Sequence, residues 1–230
     1  MSVVTILAEF EKHRNVANIE GMARFGINSS HAFGIKLPVL RAIAKPYRKN
    51  HTLALELWQT GYHEARLMAI FIADPKLVTV DLMETWMKDF NSWDIVDQAC
   101  SHLFCKHPAA YEKVIEWAKL EPEYERRTAF SLLAMLAVHD KKAPDEKFLS
   151  LLPVIEQYAF DNRNFVRKAV NWALRQIGKR NEILNLAAIA CAKRIKEQNN
   201  KSGNWIANDA LRELTGDAVQ RRVMLKGSKK

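Results

Sequence analysis

Glycine and proline are scarce, 8 and 7 in 230 residues. So few leave little material for tight turns and none for collagen-like or low-complexity architecture. Cysteine is scarcer still; its odd count of 3 makes no disulfide framework. No run approaches the roughly 18 uninterrupted apolar residues of a membrane span. The opening MSVVTILAEFEKHR carries acids within its apolar run and lacks both a basic start and a small-residue cleavage site. The expectation is a cytoplasmic chain with no membrane contact. There is no Walker A loop, no G-x-G-x-x-G, no G-x-S-x-G and no HExxH, which removes the phosphate-cradling, nucleophile-elbow and zinc-protease chemistries those motifs serve.

Hydrophobic residues make up 48% of the chain, which excludes disorder, and the length can bury a sizeable core. The mean hydropathy of −0.24 describes a soluble protein. Net charge is +9 and the isoelectric point is about 9.5. A polyanionic partner explains such a surplus, nucleic acid first and an acidic membrane surface second; a protein that merely happens to be basic is the alternative. The charge is uneven: +4 over residues 1–60, −3 over 61–120 and +8 over 121–230. The densest stretch, 161–196, has 9 Lys and Arg against 2 acids. On helices this is either a nucleic-acid footprint or a solvated face.

The hydrophobic period is helical nearly throughout. At the N-terminus Val4, Leu7, Ala8 and Phe10 recur at helical spacing, and the pattern returns in HTLALELW, EARLMAIFIA, YEKVIEWAKL, RRTAFSLLAMLAVH, FVRKAVNWALRQIG and ILNLAAIACAKRIKEQ. Turn signals fall between these segments, at Asp74-Pro75, His107-Pro108, Glu121-Pro122, Ala143-Pro144 and Ser202-Gly203. Five helix starts repeat a polar residue two before a small or apolar one: Arg66, Asp97, Arg127, Arg167 and Asn208, at intervals of 31, 30, 40 and 41 residues. Stacked helical pairs of the HEAT or armadillo kind have periods of about 40–47 residues. The predicted fold is all-α: a single-domain right-handed α-solenoid of HEAT/armadillo-like repeats over 1–225, followed by a basic C-terminal tail, 226–230. In such a stack the repeated positions form a track, here three arginines and one carboxylate.

Three segments carry candidate chemistry. In NSWDIVD, 91–97, Trp93 and Asp97 share a helix face and Asp94 is one turn from Asp97. Capping by Asn91 or Ser92 and a favourable dipole account for Asp94; they account less well for Asp97. Trp172 either joins the stripe of Val166, Ala169, Val170 and Ala173, or forms an aromatic plate able to stack on a base or hold a cation. Arg126 and Arg127 open a helix, where cations oppose the macrodipole. Phosphate contact and a salt bridge to an acid such as Glu123 or Glu125 are both open. Cys100, His102, Cys105 and His107 lack the paired spacing of a zinc site, so no metal is expected.

Taken together, FGINSSHAFGIKLPVLRAIAK, WDIVD, ERRTA and DNRNFVRKAVNWALRQIGK resemble, in order and over nearly the whole chain, the DNA alkylation repair glycosylases built from HEAT-like repeats, the AlkD-like family. The resemblance implies excision of positively charged N3- or N7-alkylated purines from double-stranded DNA. It implies Asp97 as the catalytic carboxylate, Trp93 and Trp172 as the lesion-binding aromatics, and Arg127, Arg41 and Arg175 as DNA-binding residues; Arg167 is expected to join them from its place on the repeat track. It implies no metal or other cofactor, and a monomer associated with the nucleoid. Both tryptophans are expected to border a basic groove with Asp97 at its floor. A non-catalytic protein binding damaged or branched DNA, and a HEAT-type scaffold for a protein partner, remain the competing readings. SGNWIANDALRELTG extends the family pattern by a further helical unit.

Overall fold

The computed structural model describes residues 2–227, which form fifteen α-helices and three short 3-10 turns, with no strand among the described residues. The chain clusters into two compact units, Met1–His107 and Pro108–Lys230. The first holds α1 (Val3–Lys12), α2 (Val16–Arg24), α3 (Leu37–Ala44), α4 (His51–Gln59), α5 (His63–Ile72), α6 (Val80–Lys88) and α7 (Trp93–His102). The second holds α8 (Ala110–Ala118), α9 (Glu123–His139), α10 (Asp145–Leu149), α11 (Leu152–Tyr158), α12 (Asn164–Gly178), α13 (Glu182–Glu197), α14 (Lys201–Leu214) and α15 (Asp217–Gly227). Of the expected tail 226–230, Lys226 and Gly227 end α15 and residues 228–230 lie outside the described residues.

Polar side chains set several helix starts. Asn15, Asn50, Thr79, Asn181 and Asn200 each accept from the backbone N–H three residues on, satisfying a donor that the helix itself leaves orphaned. Ser92 does not behave as expected. It holds the N-cap position of α7, but its Oγ accepts instead from the backbone N–H of Asn28, at 2.8 Å. The phase of α1 also differs from the expectation. Ile6 and Phe10, an i, i+4 pair, are buried while Val4 and Ala8 face solvent, and Phe10 packs edge-on against Phe33, 5.5 Å between centroids.

The core of the first unit is built on aromatic contacts. Trp58 of α4 and Trp86 of α6 stack with centroids 4.0 Å apart and planes 2° from parallel; the Trp58 Nε1 donates to Asp89 at 2.8 Å. Both rings are buried, so the indole N–H needs that partner. In the second unit α9 lies between α8 and α12. Every residue of α9 from Arg126 to Ala137 is buried, the polar Arg126, Arg127, Thr128 and Ser131 included. The stripe of α12 named above, Val166, Ala169, Val170 and Ala173, is buried as well. Trp117 completes a set of three core tryptophans with Trp58 and Trp86; Trp93 and Trp172 are half-buried and Trp205 is exposed.

Candidate nucleic-acid interface

In the first unit the start of α7 carries the WDIVD motif, and its residues divide the work. Trp93 is half-buried and its Nε1 donates to the Phe25 carbonyl at 3.0 Å, which fixes the indole at the end of α2. Asp94 turns inward: its Oδ2 accepts from His63 Nε2 at 2.9 Å. Asp97, one turn further, is half-buried on the face it shares with Trp93. Arg41 of α3 is exposed; its guanidinium lies 5.4 Å from the Phe71 ring centroid and donates to Gln98, the neighbour of Asp97, at 3.3 Å. The fold therefore brings one arginine to the helix turn that carries the carboxylate.

The loop between α2 and α3 is held against this helix start from several sides. Glu64, 1% exposed, accepts from the backbone N–H groups of Phe33, Gly34 and Ile35 at 2.9, 2.7 and 3.1 Å. The His31 carbonyl accepts from the His63 N–H at 2.8 Å, and Ser92 and Trp93 make the bonds described above. Gly34 has φ +76°, and a Cβ there would stand 2.3 Å from the Asn15 carbonyl oxygen. Only glycine fits that close approach in a left-handed conformation. A buried carboxylate in α5 thus anchors the far end of the loop whose first residue, Phe25, accepts from the Trp93 indole.

In the second unit the arginines at the start of α9 are inside the protein. Arg126 donates to Asp161 at 2.8 Å, Glu121 at 2.9 Å and the Ala118 carbonyl at 3.1 Å. Of its two open readings the salt bridge is the one formed, with partners other than Glu123 and Glu125. Arg127, 5% exposed, donates to the Phe165 carbonyl at 2.7 Å and so ties α9 to the first turn of α12. Asp161 also receives Arg163, at 2.5 and 3.0 Å. Burial pushes its carboxyl up, but the hydrogen bonds from Arg163 and Arg126 outweigh burial and hold it below the ordinary 3.8. A depressed folded value means its stabilisation is fully present above about pH 3.8 and is lost as pH falls through the folded value. Unfolding midpoints measured down an acid series are expected to fall less steeply in Asp161→Asn than in the wild type; parallel curves would show that Asp161 takes no part in acid unfolding.

Much of the basic stretch 161–196 is compensated by acids distant in sequence. Arg175 is 29% exposed and meets Glu213 at 2.7 Å and Asp209 at 3.2 Å; Lys179 meets Glu213 at 2.6 Å; Arg194 meets Glu156 at 2.8 Å. Lys168, Lys193 and Lys196 are exposed. Arg167 is half-buried, with its guanidinium 4.6 Å from the ring centroid of Trp205. Trp172 is half-buried beside Asn171, whose Nδ2 donates to Asp209 at 2.7 Å.

Three of these features escaped the sequence. His63 and Asp94 stand 31 positions apart with no spacing to betray them. Glu64 looks like an ordinary first-turn acid until its backbone partners are known. Trp205 and Asp209 repeat, in α14, the four-residue separation of Trp93 and Asp97, a signal that was readable. His102 packs edge-on to Phe71, 5.1 Å between centroids. Among the described residues no group of three metal-ligating side chains gathers, and no helix is long and apolar enough to cross a membrane.

A family model described as DNA alkylation repair enzyme matches residues 6–214. No curated protein matches the chain. A solved structure described as "a new family of proteins related to the HEAT-like repeat DNA glycosylases with affinity for branched DNA structures" is similar, with 21% sequence identity and a TM-score of 0.75 over 84% of this chain and 83% of that one. That likeness identifies the fold as all-α and HEAT-like.

Proposed function

Because the chain belongs to the DNA alkylation repair enzyme family, we propose that it is a DNA glycosylase that excises N3- and N7-alkylated purines from double-stranded DNA. The observation that carries this reading is Asp97, half-buried on one face of α7 with an indole fixed four residues before it and Arg41 bonded to the residue after it. Alkylation at N3 or N7 gives the base a positive charge, so the C1′–N9 bond breaks with its electron pair leaving on the base and neutralising it. The sugar left behind has oxocarbenium character. A carboxylate beside it stabilises that charge and takes the proton of the water that adds to C1′. Trp93 and Trp172 are each proposed as lesion-binding aromatics, a face of either indole attracting a cationic base by about 0.5–2 kcal/mol. Side chains alone supply these roles, and the lesion provides the leaving-group ability.

The assignments to the arginines change with the structure. Arg41 and Arg167 remain direct DNA contacts in this proposal. Arg127 acts from behind, by holding the start of α12 through the Phe165 carbonyl. Arg175 reaches DNA only by exchanging Glu213 and Asp209 for phosphate. The chain works as a monomer on nucleoid DNA in this reading.

Incubation with methylated duplex DNA is expected to release free 7-methylguanine or 3-methyladenine well above the spontaneous rate. Release at the spontaneous rate would overturn the glycosylase. The solved relative favours a second reading, because affinity for branched DNA is stated of that protein. A chain that binds branched duplexes tightly and releases no base would be a binding protein on the same fold.

A further inference from the structure

Beside the start of α5 the first unit has a small recess of about 30 Å3 lined by Asn28, Ser30, His31, His63, Arg66 and Asn91, with Gly61 at its edge. No carboxylate lines it. His63 is 5% exposed, so its ring is committed to the interior. Its Nε2 is used by Asp94, at 2.9 Å, and its Nδ1 has no hydrogen-bond partner among the described residues. The Nε nitrogen of Arg66 is likewise buried without a partner. Buried polar nitrogens in native proteins are nearly always satisfied, by protein, by water or by a bound ion. The recess also lies where two ten-residue helices begin, α5 at His63 and α7 just after Asn91. Both present the positive ends of their dipoles.

We propose that this recess is a binding site for one phosphate group, which places a non-bridging oxygen against His63 Nδ1 and Arg66. The volume decides the size of the guest. About 30 Å3 is room for a group the size of a water molecule or a phosphate oxygen. The donors decide its sign, since a guanidinium, two imidazoles and two amides line the recess. Burial pulls the Arg66 guanidinium down from its ordinary value, opposed only by Asp89, whose Oδ2 is 4.0 Å away. An anion in the recess relieves that cost. With Nε2 donating to Asp94, the ring binds an anion when Nδ1 also carries a proton, which it donates as a hydrogen bond to the oxygen. The charged and titratable groups around it are Asp94 on α7, Arg66 on α5, His31 on the α2–α3 loop and Asp89 after α6. Free phosphate and the phosphodiester of DNA offer the same oxygens. The second source rests on the DNA reading above; the site itself does not.

Two measurements on the full chain separate these. Titration with inorganic phosphate, followed by the imidazole NMR signals, is expected to shift His63 in the wild type and not in Asn91→Asp, an exposed substitution that puts a carboxylate at the mouth. Duplex binding across a salt series is expected to lose about 1 from the slope of log K against log salt in His63→Gln, the signature of one phosphate contact removed. A phosphate response with an unchanged slope leaves the site standing with free phosphate as its ligand, as does a wild type that fails to bind duplex at all. A His63 signal that ignores phosphate in the wild type, or an equal response in Asn91→Asp, overturns the proposal and assigns the recess to water.

Discussion

Asp97→Asn is expected to lower the release of alkylated base from duplex DNA by about a hundredfold or more while leaving DNA affinity equal or higher. Removing one preorganised electrostatic partner of a developing charge typically costs about 10²–10³ in rate. Asparagine keeps the shape of the side chain and its place on the Trp93 face of α7. It loses the negative charge that an oxocarbenium sugar needs and the basicity that accepts the proton of water. Affinity moves the other way because a carboxylate near a phosphate backbone repels it. The measurement is a single-turnover base-release assay beside an equilibrium binding curve on the same duplex. Wild-type release by Asp97→Asn would remove Asp97 from the reaction, whatever became of binding.

The largest stability effect is expected from Glu64→Ala. That carboxylate is 1% exposed and accepts three backbone N–H groups. Alanine leaves all three donors of the loop without an acceptor, at about 1–3 kcal/mol for each that water fails to reach. A loss of about 3 kcal/mol or more follows, read as a lower urea midpoint. Glu64→Gln separates charge from hydrogen bonding. Its carbonyl oxygen still serves Gly34 and Ile35, which share Oε1, while its amide nitrogen faces the Phe33 N–H, donor against donor. It is expected to cost about 1–3 kcal/mol. Because the loop includes Phe25, whose carbonyl accepts the Trp93 indole, Glu64→Ala is also expected to reduce base release under conditions where the variant is still folded. Unchanged stability in Glu64→Ala would mean that the loop finds other acceptors.

The helices and the motif on α7 were legible because a 3.6-residue period writes a buried face into the sequence. Trp93 and Asp97 on one face needed only their spacing. The charge partners were not legible. The sequence shows 9 cations against 2 acids over 161–196, yet Asp209, Glu213 and Glu156 come in from flanking helices to meet Arg175, Lys179 and Arg194. Local spacing reports which side of a helix a residue occupies; it does not report what another helix brings to that side. The same limit hid the His63–Asp94 pair and misread Ser92, whose hydroxyl had a better partner in Asn28 than in its own helix. In α1, four apolar residues in a helical register described two competing faces, and the buried one carries Ile6 and Phe10, the latter packed against Phe33.

The burial of α9 on every side has a consequence for how the second unit opens. The stretch of α9 from Arg126 through Ala137 has no exposed face from which its hydrogen bonds can be lost one at a time, although the helix ends in solvent at Val138 and His139. The amides of that stretch therefore exchange with solvent deuterium only when the unit as a whole unfolds, and their exchange rates report the global free energy of that unit. They form an internal reference against which slower exchange elsewhere in the unit, on adding DNA, can be read as protection by the ligand.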